Sequence, residues 1–185
     1  MIKIISLFIF IAACILPSYG SDKELLRNSG FYEAGINSRK IPRWWNVKSG
    51  NSTAVDVKVY LKKSKHIIDL TIPGKSAVIE THFYRIACSS LAANESYQLS
   101  VYGAGKASMQ FTLHTYDANG RFLKSLQLGS FPFDNGGAIT VDDLAGKLQG
   151  AARFAPAIFI TSDKCVLSRI SLKQVKKKAT APDRK

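Results

Sequence analysis

Tyr97-Gln98-Leu99-Ser100-Val101-Tyr102, then Gly103-Ala104-Gly105-Lys106, then Met109-Gln110-Phe111-Thr112-Leu113-His114-Thr115-Tyr116 is the stretch that decides the fold. Tyr97, Leu99 and Val101 alternate with Gln98, Ser100 and Tyr102, and Met109, Phe111 and Leu113 alternate with Gln110, Thr112, His114 and Tyr116. A period of two gives a strand one apolar and one polar face, whereas a helix needs apolar residues every three to four positions. The glycine-rich step between the segments predicts a reversal, so the two strands are expected to form a hairpin. On that expectation Gln98, Ser100, Tyr102, Gln110, Thr112, His114 and Tyr116 share one sheet face, opposite the row that lines the core.

The same period extends outward along the chain. Val55, Val57, Val59 and Leu61 alternate with Asp56, Lys58, Tyr60 and Lys62, and Ile68, Leu70 and Ile72 repeat the pattern before Pro73-Gly74 turns the chain. Asp117-Ala118-Asn119-Gly120 and Asp134-Asn135-Gly136-Gly137 supply further turns, in which Asn and Gly tolerate positive φ. Late strands are expected over Ala157 to Thr161 and Val166 to Leu172, either side of Ser162-Asp163-Lys164. No window after Asp22 keeps helical spacing for three turns, and only Val141 to Gly150 leaves a helical turn open. Some ten short strands with close turn signals predict an all-β, two-sheet antiparallel sandwich.

Met1-Ile2-Lys3 followed by the apolar run Ile4 to Leu16, then Pro17 and Ser18-Tyr19-Gly20, reads as an export signal cut before Ser21. Ile11-Ala12-Ala13-Cys14 is the alternative, a lipobox that would anchor the chain by a lipid on Cys14. Residues 21–175 then form one sandwich domain, and 176–185, opening with Lys176-Lys177-Lys178 and lacking apolar residues to bury, form a disordered basic tail. Loss of Lys3 from 26 basic residues leaves 25 against 13 acidic ones, a net charge of +12. That excess suits an acidic partner, or serves only to keep the surface solvated. Outside the signal Cys88 and Cys165 are the only cysteines. In an oxidising compartment they are expected to be bonded, the alternative being two buried thiols.

Catalytic constellations are missing. Glu80, His82 and Tyr84 share a strand face but offer one carboxylate without a second, and Asp142-Asp143 reads as a strand end rather than a dyad. No Gly-x-Ser-x-Gly elbow and no CxxC or His-flanked cysteine spacing occurs, so neither an acyl-transfer site nor a metal site is expected. The chain reads as a binding protein, not an enzyme.

Leu25-Leu26-Arg27-Asn28-Ser29-Gly30-Phe31 with Glu33, Gly35 and Ile41-Pro42-Arg43-Trp44 resembles the opening of galactose-binding-like jelly rolls, in particular the carbohydrate-binding modules attached to bacterial glycan-degrading enzymes. Leu91 to Ser100, Tyr116-Asp117-Ala118-Asn119-Gly120 and Val166 to Leu172 continue the resemblance to the end of the domain. It implies a secreted or periplasmic jelly roll that binds a polysaccharide or glycan without cleaving it. A surface protein of the same fold that contacts a protein or an anionic envelope polymer is the other reading. Those modules commonly place Glu after the Phe and Asp in the last strand at a structural calcium; Tyr32 and Ser168 stand there instead, so no cofactor is expected, a structural calcium being the alternative.

A sugar-binding surface needs an aromatic plane beside amide, hydroxyl or imidazole groups. The candidate ligand-binding residues are therefore Gln98, Tyr102, Gln110, His114 and Tyr116 on the expected hairpin face. Adjacent residues of an extended chain point to opposite sides, and the resemblance gives the buried role to Trp44, which leaves Trp45 as a platform. Phe131 and Phe133 flank Pro132 as a further loop-borne pair.

Overall fold

The computed structural model describes residues 23–33, 35, 41–81 and 84–175. The export signal, the lipobox, the basic tail and His82 lie outside the described residues. Eleven strands follow one another among those described: β1 (Trp45–Ser49), β2 (Asp56–Lys62), β3 (Lys65–Thr71), β4 (Ser76–Thr81), β5 (Ile86–Ala87), β6 (Ser96–Ala104), β7 (Ala107–Tyr116), β8 (Phe122–Phe133), β9 (Gly136–Asp142), β10 (Arg153–Thr161) and β11 (Lys164–Val175). The segment left open between strand and helix carries one helical turn, α1 (Leu144–Lys147), capped by Asp143 accepting from Gly146 N–H.

All pairing is antiparallel and falls into two sheets. The front sheet runs β1-β4-β10-β7-β8, with β5 also on β10; the back sheet runs β2-β3-β11-β6-β9. This is the expected all-β sandwich. Inward rows from both sheets fill the gap between them: Met109, Phe111 and Leu113 from β7 and Ile158 and Ile160 from β10 meet Ile68, Leu70, Leu99, Val101, Leu167 and Ile170 from the back sheet. Each of these large apolar side chains contributes about 1.5–3 kcal/mol by leaving water.

One expectation is overturned here. β6 and β7 do not pair with each other: β6 lies between β11 and β9 in the back sheet, and β7 lies between β10 and β8 in the front. The step at Gly105, with φ +116, carries the chain from one layer to the other. The hairpin-forming reversals are Lys63-Ser64, both at positive φ, between β2 and β3, and Asp117 to Gly120 between β7 and β8.

The expected disulfide is also absent, since Cys88 and Cys165 are free thiols. Cys88 N–H donates to Ala152 O just before β10 begins, whereas Cys165 pairs with Leu70 beyond the turn that ends β10. The nine residues of β10 separate them, about 30 Å of strand, and a disulfide needs Cα atoms within about 7 Å. Burial holds the Cys165 thiol up at about 12, with Asp69 adding to the effect, and burial raises Cys88 as well.

Glu24 ties the first described segment to the last strand. Its carboxylate accepts from Leu26 N–H (3.1 Å), Leu172 N–H (2.9 Å) and Ser171 Oγ, and Arg169 lies 3.6 Å away. Both oxygens are thus held by N–H and O–H donors. Ser168, at the position where the resembling modules carry Asp, donates its hydroxyl to Tyr102 O (3.2 Å), and Tyr32 is exposed with Lys65 over its ring.

Candidate functional site

Because neighbouring strands align residue for residue, the outward face of the front sheet reads as rows. Lys48, Val78, Phe159, Gln110 and Ser130 form one row from β1 to β8; Asn46, Glu80, Ala157, Thr112 and Gln127 form the next. Ala155, His114 and Ser125 follow, and then Ala87, Arg153, Tyr116 and Phe122. On central β10 the outward positions of the middle two rows are Ala157 and Ala155, both short, between the longer side chains of β4, β7 and β8.

Gln110, Thr112, Ser125, Gln127 and Phe159 line an open cleft of about 260 Å³ on this face. Two amides and two hydroxyls supply both donors and acceptors, and Phe159, 36% exposed, supplies a ring. His114 stands next to them, sharing a 2.9 Å hydrogen bond between Nδ1 and Ser125 Oγ and meeting the Phe122 ring edge at 6.0 Å. Burial holds its imidazole below the ordinary value, with Glu80 pulling upward and Lys48 pushing down. At neutral pH the ring is uncharged and offers one donor and one acceptor. Glu80 itself is ion-paired with Lys48.

Of the sequence-predicted residues, this face gathers Gln110, His114 and Tyr116. Gln98 and Tyr102 do not join them. They point outward from β6 and so lie on the far side of the sandwich, where Tyr102 is 47% exposed beneath Arg169 at 5.7 Å. The alternation assigned inside and outside correctly for both strands, but the outsides belong to opposite surfaces.

The two tryptophans are reversed as well. Trp45 is 4% exposed, packs edge-on against Phe31 at 5.7 Å and donates its indole N–H to Asn28 O (3.2 Å), so it is core and cannot serve as a platform. Trp44 is the half-buried partner, at φ +75 in the turn that enters β1. Phe133 is buried, and Phe131 packs on Phe111 at 5.2 Å and fills the space that a side chain at Gly137 would need, so this pair closes the sandwich rather than presenting rings.

Phe159, Ser125 and Gln127 were not singled out from the sequence. Their signal was present: Ile158 and Ile160 pointing inward force Phe159 outward, and Leu126 and Leu128 do the same for Ser125 and Gln127.

No family model and no curated protein matches the chain. Solved structures do. The enzymatically active domain of bacteriophage CBA120 tailspike protein 4 superposes with a TM-score of 0.55 at 13% identity, over 82% of this chain and 21% of that one. The CBM22-1–CBM22-2 tandem of Paenibacillus barcinonensis Xyn10C gives 0.52 at 16% identity, over 88% and 48%. CtCBM11 gives 0.52 at 15% identity, over 88% of this chain and all of that module. At such identities the likeness concerns architecture alone, and in architecture the chain is a β-jelly-roll of the kind found in carbohydrate-binding modules.

Proposed function

We propose that this domain binds a polysaccharide without cleaving it, along the outward face of the front sheet, and that it does so after export from the cytoplasm. The observation that carries the reading is the cleft itself. Its amides, hydroxyls and ring suit a sugar, whose edge carries hydroxyl groups and whose face carries C–H bonds. The groups belong to paired strands and are held by the sheet, so little order has to be imposed on binding. The architecture shared with carbohydrate-binding modules points the same way.

Binding rather than hydrolysis is supported by the charge state of the face. Glycoside cleavage needs two carboxyl groups flanking the bond, and Glu80, held by Lys48, is the one carboxylate in the rows described above. The test is affinity electrophoresis and calorimetry of residues 21–185 against neutral and acidic polysaccharides, with Gln110→Ala/Gln127→Ala alongside. Retardation by at least one polymer that the double variant loses is the expected result. Retardation that survives the double variant unchanged would remove the cleft from the site.

A further inference from the structure

We infer that the arginine-and-ring cluster at one end of the front sheet takes the carboxylate of an acidic sugar, so that the bound polymer contains uronic acid residues. This inference rests on the reading that the cleft holds a glycan, and it adds the class of that glycan.

Arg27 lies over both Trp44 (5.2 Å) and Tyr84 (4.6 Å), Arg43 lies over Trp44 (4.7 Å), and the two rings are 6.3 Å apart. The next residue after Tyr84, Arg85, stacks on Tyr116 at 3.7 Å and donates from Nη1 to Gly120 O (2.8 Å). Tyr116 in turn meets Phe122, Phe122 meets His114, and His114 bonds Ser125 at the cleft. Arg153 pairs across the strand with Tyr116 on the same face. A continuous run of side-chain contacts therefore leads from Arg85 to the cleft.

Asn28 holds the loops that carry the outer part of the cluster. Its amide Nδ2 donates to Glu33 O (3.0 Å) and Arg43 O (3.1 Å), and its Oδ1 accepts from Glu33 N–H (2.9 Å). One side chain thereby fixes the turn that sets Trp44 at positive φ between two guanidiniums.

A neutral sugar has little to gain here, because guanidinium groups already lie against the faces of Trp44, Tyr84 and Tyr116. A guanidinium stacked on a ring turns its edge outward instead, with N–H donors in a planar fork and no acceptor. Such a fork matches a carboxylate. Among the described residues only Arg43 of the four arginines has an ion-paired carboxylate, Glu33 at 3.6 Å, and both members of that pair are exposed. Nucleic acid fits less well, since its bases would need the ring faces that the arginines occupy.

The experiment uses residues 21–185 and pairs each of alginate, polygalacturonate, hyaluronate and glucuronoxylan with its carboxyl-reduced counterpart, with single-stranded DNA as a polyanion control. Calorimetry in 0.15 M salt should show at least one acidic polymer binding about tenfold or more tightly than its reduced partner, the factor that one charge-assisted hydrogen bond carries. Removing the cluster's guanidiniums together, in Arg27→Ala/Arg43→Ala/Arg85→Ala/Arg153→Ala, should equalise the two while leaving the reduced polymer's affinity in place. Should that variant melt early, the same four positions changed to Lys keep the charge, lose the fork and are expected to lose most of the preference. Equal affinity for every acidic and reduced pair, or a preference that survives the arginine variants, would overturn the inference while leaving the cleft intact. DNA binding as tight as the best glycan would overturn it too, and no binding to any polysaccharide would remove both readings together.

Discussion

Truncating Phe159 to alanine isolates what the ring contributes to binding. The side chain projects from β10 with Val78 and Gln110 as its cross-strand neighbours, and it is 36% exposed. An aromatic side chain buries roughly 200 Å² when fully covered, so about 70 Å² remains for a sugar to cover. At about 25 cal/mol per Å² this is close to 1.8 kcal/mol, or about a 20-fold rise in Kd. The assay is calorimetry on whichever polysaccharide the unaltered chain binds, with thermal melts on both proteins. Because two-thirds of the ring is already packed, a loss of about 1–2 kcal/mol in stability is expected and must not be confused with lost affinity. A folded Phe159→Ala protein whose Kd moves less than about threefold would refute the assignment of this ring as the platform.

Three other outcomes follow from particular contacts. His114 is held uncharged by burial, so the unfolded chain takes up a proton near its ordinary value of 6.5 that the folded chain refuses. Stability contributed by this group is full above that pH and declines as pH falls below it, and urea midpoints at pH 7.5 and 5.5 should diverge less in His114→Asn than in the unaltered protein. The Cys165 thiol, held at about 12, should resist iodoacetamide in the native state and react in denaturant, with Cys88 labelled first; without reductant, denatured residues 21–185 should titrate as two thiols. Removing the Glu24 carboxylate with Glu24→Ala leaves the Leu172 N–H and the Ser171 hydroxyl without their acceptor and should cost about 3 kcal/mol, a fall of about 6–12 °C in Tm by calorimetry.

The sequence carried the inward and outward sides of nearly every strand, because a period of two is written into side-chain polarity. It did not carry which strands pair. Gly103 to Lys106 suits a hairpin and a crossing between layers equally well. The choice is made by β10 and β11, whose segments lie more than forty residues away and compete for the edges of β7 and β6. The site divided for this reason, with Gln98 and Tyr102 on one surface and Gln110, His114 and Tyr116 on the other. Trp44 and Trp45 were correctly read as one inward and one outward, yet in the wrong order, because the phase is set by a left-handed turn that a bulky residue seldom adopts. The cleft was illegible for a related cause: Ser125 and Gln127 meet Gln110, Thr112 and Phe159 only once the register sets β8 and β10 on either side of β7.

The last two strands each occupy the middle of a layer, β10 between β4 and β7, and β11 between β3 and β6. Neither layer can close before β10 and β11 have been synthesised, so a nascent polypeptide that lacks them holds two split half-sandwiches in want of a keystone. Among the described residues, seven of the nine strand pairings join segments distant in the chain, with only β2–β3 and β7–β8 as hairpins, which slows folding and prolongs the interval before it completes. Under the proposed export that delay is an advantage, since a chain that has yet to receive β10 and β11 is still unfolded enough to be threaded across a membrane.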